Sequence, residues 1–215
     1  MKERKNTAIR RCLRFTTKKG EKQMSQTAAN VSAAKPNVGG AVNVAPANTT
    51  LPTDATTALA AAFKSLGYIS EDGLSNEGIM SPDVVKAWGG DVVLTLNANS
   101  EDAVNFKLIE ITNVDVLKFV FGEDNVSGTL ATGIAITVND KDRPEQVMVI
   151  DMILRDGALK RIVIPKAVIT EIGEISYADS DAVGYEVTVQ ANKDADGNTH
   201  YEYISATGAT GATNG

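Results

Sequence analysis

The fold is decided by residues 146–164, QVMVIDMILRDGALKRIVI. Two apolar runs rich in Val and Ile flank the dipeptide Asp156-Gly157, and such a dipeptide is typical of the tight turn in a β-hairpin. We therefore predict antiparallel strands at residues 146–155 and 158–164. Nearly every position of the first strand is apolar, so both of its faces should be buried, either under a helix or against a neighbouring subunit.

The same β pattern continues on both sides of this hairpin. Strands are predicted at residues 83–88 and 91–97 around the turn Gly89-Gly90, at 104–111, 131–139, 168–175 and 184–191, and in a last hairpin that turns at 194–198 and returns through 200–205. In the strand 91–97, the apolar residues Val92, Leu94 and Leu96 alternate with more polar ones, which predicts a half-buried strand.

Two short helices interrupt the strands. The first is predicted to follow a cap at Thr53 or Asp54, because apolar residues recur at helical spacing from Ala58 to Leu66 before Gly67. Residues 68–82 are then expected to form a loop. A second helix should start after Asn113 and end at Gly122. The expected fold is mainly β, an antiparallel sandwich or barrel with one or two short flanking α-helices.

Charge divides the chain unequally. Residues 1–23 hold nine Lys or Arg and two Glu, a net +7, which leaves 12 basic and 25 acidic residues, a net −13, in the remainder. An acidic body has no basic surface with which to bind duplex DNA tightly. We expect a basic leader at 1–23 that is either disordered or upstream of a true start at Met24, followed by an extended arm at 24–53, a β domain at 54–205 and a flexible tail at 206–215.

The residues for catalysis or metal binding are sparse. His200 is the only histidine and Cys12 the only cysteine, so neither a zinc site nor a Cys-His dyad can be assembled. The acidic pairs Asp140/Asp142 and Asp179/Asp181 lie in predicted turns. Residues 192–198 resemble half of a calcium loop, but Tyr203 stands where a bidentate Glu is needed, and the flanks predict strands. No catalytic, cofactor or metal site is predicted, and no apolar run is long enough to span a membrane.

Several segments together resemble the major tail proteins of siphophages. The matching stretches, in order, are LPTDATTALAAAFKSLGYISEDGL (51–74), VKAWGGDVVLT (85–95), FKLIEITNVDVLKFVFGEDNVSG (106–128), VIDMILRDGALKRIVIP (149–165) and DADGNTHYEYI (194–204). The similarity runs from about Lys35 to Ile204. None of these stretches is a catalytic motif, so the specificity lies in their number and order.

The resemblance implies a structural role with no enzymatic activity and no cofactor, and it implies that the β domain at 54–205 is a tail-tube domain. Tail tube subunits of this kind close into hexameric rings, which stack into a hollow tube that carries DNA from the virion into the host. The implied partners are further copies of the chain and the tape-measure, tail-terminator and baseplate proteins, and no membrane is involved. The implied location is the virion tail, after synthesis and assembly in the cytoplasm of the bacterial host.

Two sets of surface residues are candidates for function. The polar faces of two predicted strands are candidates to line the lumen: Asp91, Thr95, Asn97, Glu186, Thr188 and Gln190. The arm 35–52, the loop 68–82 and Trp88 supply the candidate inter-subunit residues: Lys35, Pro36, Pro52, Tyr68, Ile69, Met80 and Trp88. The alternatives are another virion protein, such as a capsid decoration or baseplate sandwich, and a ligand-binding module.

Overall fold

The computed structural model describes residues 28–37, 39–78, 83–96, 102–180 and 182–206. The chain divides into two units, Met1–Val31 and Ser32–Gly215. In the described part of the first unit, Ala28–Asn30 form a short 3₁₀ turn. The second unit contains every strand and the α-helix of the described residues.

Thirteen strands and one α-helix follow each other along the described residues. They are β1 (Lys35–Pro36), β2 (Val42–Pro46), β3 (Lys64–Ser65), β4 (Ile69–Glu77), β5 (Asp83–Lys86), β6 (Val92–Leu96), β7 (Asp102–Leu108), α1 (Val114–Phe121), β8 (Val126–Thr129), β9 (Gly133–Ile136), β10 (Gln146–Ile153), β11 (Leu159–Ile172), β12 (Tyr185–Ala191) and β13 (Tyr201–Ser205). The chain is therefore mainly β, as predicted, with one of the two expected helices.

Nine of the strands form one antiparallel sheet. Its order is β3-β2-β10-β11-β12-β7-β4, with β1 added to β10 and β13 added to β11. Two further pairs, β5-β6 and β8-β9, form separate two-stranded sheets. Over the described residues the large sheet is open, since β3 and β4 lie at opposite ends of its order, so the predicted alternative of a barrel is not observed. The arrangement is consistent with a β-sandwich.

The hairpin of β10 and β11 is confirmed. Val149 lies opposite Val163, and the connection uses the left-handed conformation at Asp156 (φ 63°) and Gly157 (φ 80°). These two residue types accept positive φ with little strain, which is why the dipeptide marks the turn. Met148, Ile150, Ile162 and Ile164 lie in the main core.

Helix α1 covers this core and is specified locally, as predicted. The Asn113 side chain accepts a hydrogen bond from the Asp115 N–H, and Gly122 (φ 97°) ends the helix by donating its own N–H to the Lys118 carbonyl. Between these caps, five of the eight residues are buried in one apolar cluster with the sheet: Val116, Leu117, Phe119, Val120 and Phe121.

The opposite face of β10 is buried by the chain itself. Val149 and Val163 on this face are fully buried, and beside them Asp151 pairs with Arg161. The Arg161 guanidinium donates to both carboxylate oxygens of Asp151, at 2.6 and 3.0 Å, and to the carbonyls of Asp54 (3.0 Å) and Thr57 (2.8 Å). The segment 54–57 therefore lies over this face, where the sequence suggested a helix or a neighbouring subunit.

The first predicted helix, after Asp54, is wrong. Residues 54–63 are irregular, and Asp54 caps only a tight turn, in which its Oδ1 accepts from the N–H groups of Thr56 and Thr57. In a helix the carbonyls of Asp54 and Thr57 would bind amides one turn later, whereas here Arg161 takes both. The hydrogen bonds to buried Arg161 therefore outweigh the helical pattern of the sequence. Two β-branched threonines also lower the helix propensity of this segment.

The predicted loop at residues 68–82 is wrong over most of its length. Residues 69–77 form β4, which pairs with β7, and residues 79–82 lie outside the described residues. The predicted strand 131–139 is also wrong in extent, because its centre is β9 and its partner β8 precedes it across a turn at 130–132. Gly128 (φ 84°) and Gly133 (φ 90°) flank that turn.

Two strand pairings differ from expectation downstream. The predicted strand at 168–175 continues β11 without a break, and Pro165 fits there because it lies at a bulge where Met148 pairs with Ile164 and Gln146 with Ala167. The predicted last hairpin is wrong, because β12 and β13 both pair with β11. Both lie on the same side of β11, and residues 192–200 form the loop that connects them.

Candidate assembly interface

The pair β5-β6 forms a separate hairpin. Val84 lies opposite Thr95 and Val85 opposite Leu94, and the connection passes through Gly89 (φ 122°) and Gly90 (φ 97°). The predicted hairpin about these two glycines is therefore confirmed. Only glycine tolerates such conformations without strain, so the turn is determined by the sequence.

This hairpin is apolar and exposed, which corrects the prediction of a half-buried strand. In β6, Val92, Val93 and Leu94 are each exposed by more than half, although consecutive residues point to opposite faces. The exposed large apolar side chains of the whole hairpin are Val84, Val85, Trp88, Val92, Val93 and Leu94. The indole of Trp88 is fully exposed at the turn. Both faces of the hairpin thus present apolar surface to solvent.

A second surface is the polar face formed by β12, β7 and β4. In β12, buried Tyr185, Val187, Val189 and Ala191 alternate with Glu186, Thr188 and Gln190, which point away from the core. Cross-strand pairs place Glu186 beside Lys107 and Thr188 beside Asn105. The Asn105 amide donates to Glu77 at 2.6 Å, and Glu171 lies opposite Thr188. Glu77, Glu186 and Lys107 therefore lie on this face, and Glu171 of β11 lies beside it.

The candidate lumen residues fall into two groups. Glu186, Thr188 and Gln190 share the polar sheet face. Asp91 and Thr95 lie on the separate hairpin and are exposed, while Asn97 lies outside the described residues. The Gln190 amide donates to the Asp102 carbonyl, so its orientation is held by the sheet.

Three of the candidate inter-subunit residues line one groove. Pro36, Tyr68 and Ile69 contribute to a groove of about 470 Å³. Its other lining residues are Ala34, Asn37, Gly39, Gly40, Ala41, Gly67, Ser70, Glu71, Gly73 and Glu110. Of the remaining candidates, Lys35 is exposed in β1 and Pro52 is half-buried, Trp88 lies on the hairpin, and Met80 is outside the described residues.

Glu110 holds one wall of this groove. Its Oε1 accepts the Tyr68 N–H at 2.9 Å, and its Oε2 accepts the Asn113 side-chain amide at 3.0 Å. Gly67 (φ 69°) lies against the carboxylate so closely that an added Cβ would be 2.1 Å from its carbon. Sequence reasoning missed Glu110, because its partners are defined only when β4 packs beside β7.

A buried polar cluster lies at the start of β7. Asp102 is almost completely buried, and its Oδ2 accepts from the Thr199 hydroxyl at 2.6 Å and contacts His200 Nδ1. The cluster joins the loop 192–200 to the sheet. His200 is thus largely buried, with 12% of its side chain exposed, and is paired with an acid, which the sequence did not reveal.

The calcium-like segment forms a turn. The Asp194 Oδ1 accepts from the N–H groups of Asp196 and Asn198, and its Oδ2 accepts from the Tyr201 hydroxyl. These bonds occupy the carboxylate that a cation would need. Over the residues that the structure describes, no cluster of three or more His, Cys, Asp or Glu is arranged to hold a metal.

Comparison with known proteins gives a match to a protein family. A family model described as phage tail tube protein matches residues 26–213. Among curated proteins, no relative of this chain was found. Within the described residues, no helix is both long and apolar enough to cross a membrane.

Proposed function

Because this chain belongs to the phage tail tube protein family, and is thus a structural subunit of a tail tube in the virion, we propose that six copies close into a ring and that rings stack into a tube through which DNA passes. Head-to-tail contacts between different surfaces generate closed rings or open filaments. A stacked tube needs contacts within each ring and contacts between successive rings, so its subunit must carry more than one surface that binds a neighbour.

The exposed hairpin is the observation that supports this proposal. An isolated two-stranded hairpin is at best marginally stable in water, and this one exposes apolar side chains on both faces. Monomeric soluble proteins rarely keep such apolar surface uncovered. Neighbouring copies of the chain would cover it in an assembled tube, so the hairpin is the principal inter-subunit element of the proposal.

The polar face of β12, β7 and β4 is proposed to line the lumen. Strand pairing places Glu77, Glu186 and Lys107 on it, with Glu171 and Lys166 beside them on β11, a net negative set. Duplex DNA bears one negative charge per about 1.7 Å, so an acidic wall repels it where a basic wall would bind it. Screening confines the repulsion to about 8 Å in physiological salt. Asp91, Thr95 and Asn97 remain secondary candidates for this wall.

Only parts of the N-terminal arm are proposed to contact a neighbouring copy. Within residues 35–52, β2 is buried in the sheet between β3 and β10, so deletion of the whole arm would remove a core strand. Lys35 and Pro36 in the exposed β1 and the segment around Pro52 are therefore the parts proposed to reach a neighbouring copy. The proposed partners beyond the chain itself are the tape-measure, tail-terminator and baseplate proteins of a siphophage-type tail, assembled in the host cytoplasm.

Negative-stain electron microscopy of the purified chain at high concentration tests the proposal. The wild-type chain should form rings or tubes. A Val93→Thr/Leu94→Thr variant should remain dispersed with an unchanged melting temperature, because both side chains are already exposed in the single subunit. The matched control is Val138→Thr/Ile204→Thr, which changes two exposed apolar residues outside the hairpin and should still assemble. Monodisperse wild-type particles under every condition would refute the proposal.

A further inference from the structure

Trp88 is the most exposed large apolar side chain of the hairpin. It lies two residues after Lys86, which is also exposed, and directly before Gly89 and Gly90 at the turn. An indole presents a large apolar area and one N–H donor, so it is stabilised where a cleft supplies both apolar contact and an acceptor. Trp88 is fully exposed and finds neither among the described residues of its own chain.

The groove beside Tyr68 has the complementary properties. Its walls are small or apolar around Pro36, Ile69 and several glycines, and a Cβ added at Gly39 or Gly73 would meet nothing within 4 Å. None of the described residues therefore fills the groove beside these two glycines. Its volume of about 470 Å³ lies within the range of small-molecule pockets and is large enough for an indole ring.

We propose that Trp88 of one copy inserts into this groove of a neighbouring copy. The inference rests on the proposed function, since it names the contact by which subunits of the tube join. The indole N–H would find acceptors in the carboxylates of Glu71 or Glu110 at the groove. The same two acids attract Lys86, which enters with the hairpin, so the charges of the two surfaces are complementary.

A second groove on the chain fits less well. It has a volume of about 670 Å³, and its charged lining residues have both signs: Lys64 and Lys118 beside Asp115, Glu123 and Glu145. Lys86 would meet ammonium groups as well as carboxylates there, and Glu123 is already paired with Lys118. The charged lining residues of the first groove are both acidic. Only carboxylates would face Lys86 in the groove beside Tyr68, which is why this groove is the one proposed.

Trp88 and the groove are different surfaces of the same chain. A contact between them is heterologous, because each copy offers its indole to one neighbour and its groove to another. Such a contact propagates from copy to copy instead of stopping at a pair. It therefore has the symmetry that a ring or a stacked tube requires.

Cysteine cross-linking in assembled material tests the contact. Two variants are made in a Cys12→Ser background: Ala87→Cys, which leaves Trp88 intact, and Ser70→Cys in the groove. A third, Ala47→Cys, places the thiol in the second groove as a matched control. Mixed pairs are assembled and treated with a short bismaleimide. The Ala87→Cys chain should cross-link to the Ser70→Cys chain and not to the Ala47→Cys chain.

Adding Trp88→Ala to the Ala87→Cys chain supplies the energetic test. Loss of a central aromatic anchor weakens an interface by about thirtyfold or more, so the heterodimer band should fall by a comparable factor while the subunit keeps its melting temperature. Cross-linking to Ala47→Cys, cross-linking only between two Ala87→Cys chains, or a band that Trp88→Ala leaves unchanged would each overturn the inference. Tubes seen by microscopy in those cases would show that the proposed function stands without it.

Discussion

Replacement of Arg161 by Met should destabilise the subunit more than a typical single substitution. The guanidinium is buried and makes four hydrogen bonds, two to the Asp151 carboxylate and one each to the carbonyls of Asp54 and Thr57. Methionine fills much of the same volume but donates none of these bonds. The variant therefore leaves a buried carboxylate without its counter-ion and releases the segment that covers the second face of β10.

The magnitude follows from the burial of both partners. The side chains of Arg161 and Asp151 are exposed by only 6% and 9%, and breaking a buried pair from one side costs about 3–5 kcal/mol. Domains of this kind have a total stability of about 5–15 kcal/mol. With a urea m-value of about 2 kcal/mol per molar, a loss of about 4 kcal/mol lowers the midpoint of unfolding by about 2 M.

Urea titration followed by far-ultraviolet circular dichroism measures this loss. The matched control is Lys160→Met, one residue earlier, whose ion pair with Glu202 is partly exposed and should contribute less than about 1 kcal/mol. The double variant Asp151→Leu/Arg161→Met should lose less than the single Arg161→Met, because no buried charge remains. The reasoning is refuted if Arg161→Met is no more destabilising than Lys160→Met.

Three further predictions concern the lumen, a glycine and the response to acid. Glu186→Lys should leave tube length unchanged and slow the ejection of DNA from assembled particles; unaltered ejection would contradict its place in the lumen. Gly67→Ala should lower the melting temperature, with a loss of about 1–3 kcal/mol, because φ is 69° and the new Cβ would meet the Glu110 carboxylate. The Tyr201 hydroxyl and neighbouring N–H groups hold the pKa of Asp194 below its ordinary value of 3.8, so its stabilising contribution is present above that value and lost as the pH falls through the lower folded pKa. Melting curves between pH 5 and pH 2, roughly, should therefore show a shallower acid loss in Asp194→Asn, and identical slopes would contradict this assignment.

The elements that the sequence predicted well are those whose determinants are close together in the chain. The hairpin of β10 and β11 has two apolar runs around Asp156-Gly157, and α1 has its cap at Asn113, its apolar stripe and Gly122 within ten residues. In each case the local preference and the tertiary packing agree. Where a distant side chain does bind the helix backbone, as Arg143 does at the Val120 carbonyl, it takes a carbonyl of the last turn that the helix itself leaves without a partner.

The errors occur where a distant residue decides the outcome. Arg161 takes the carbonyls of Asp54 and Thr57 from more than 100 positions away, and no local pattern contains that information. Strand β4 is acidic and rich in Ser, and along the described residues it pairs only with β7, so it lacks the apolar alternation of a covered strand. The turn at Asp194 was predicted correctly. The strands on either side of it, β12 and β13, pair with β11 and not with each other, because β11 is long enough for both.

The hydrophobicity of a strand indicates that it must be buried, but it does not indicate whether its own chain or a neighbouring subunit buries it. The apolar faces of β10 suggested a helix or a subunit boundary, yet Val149 and Val163 are fully buried within their own chain, and the segment at Asp54 binds Arg161 on the same face. The alternation in β6 suggested burial in its own core, yet Val93 and Leu94 are exposed. Two strands of similar composition therefore differ in burial, and the proposed function gives them different roles. Truncation of Val149 should impair folding, whereas a polar substitution of Val93 should impair assembly and leave the folded subunit intact.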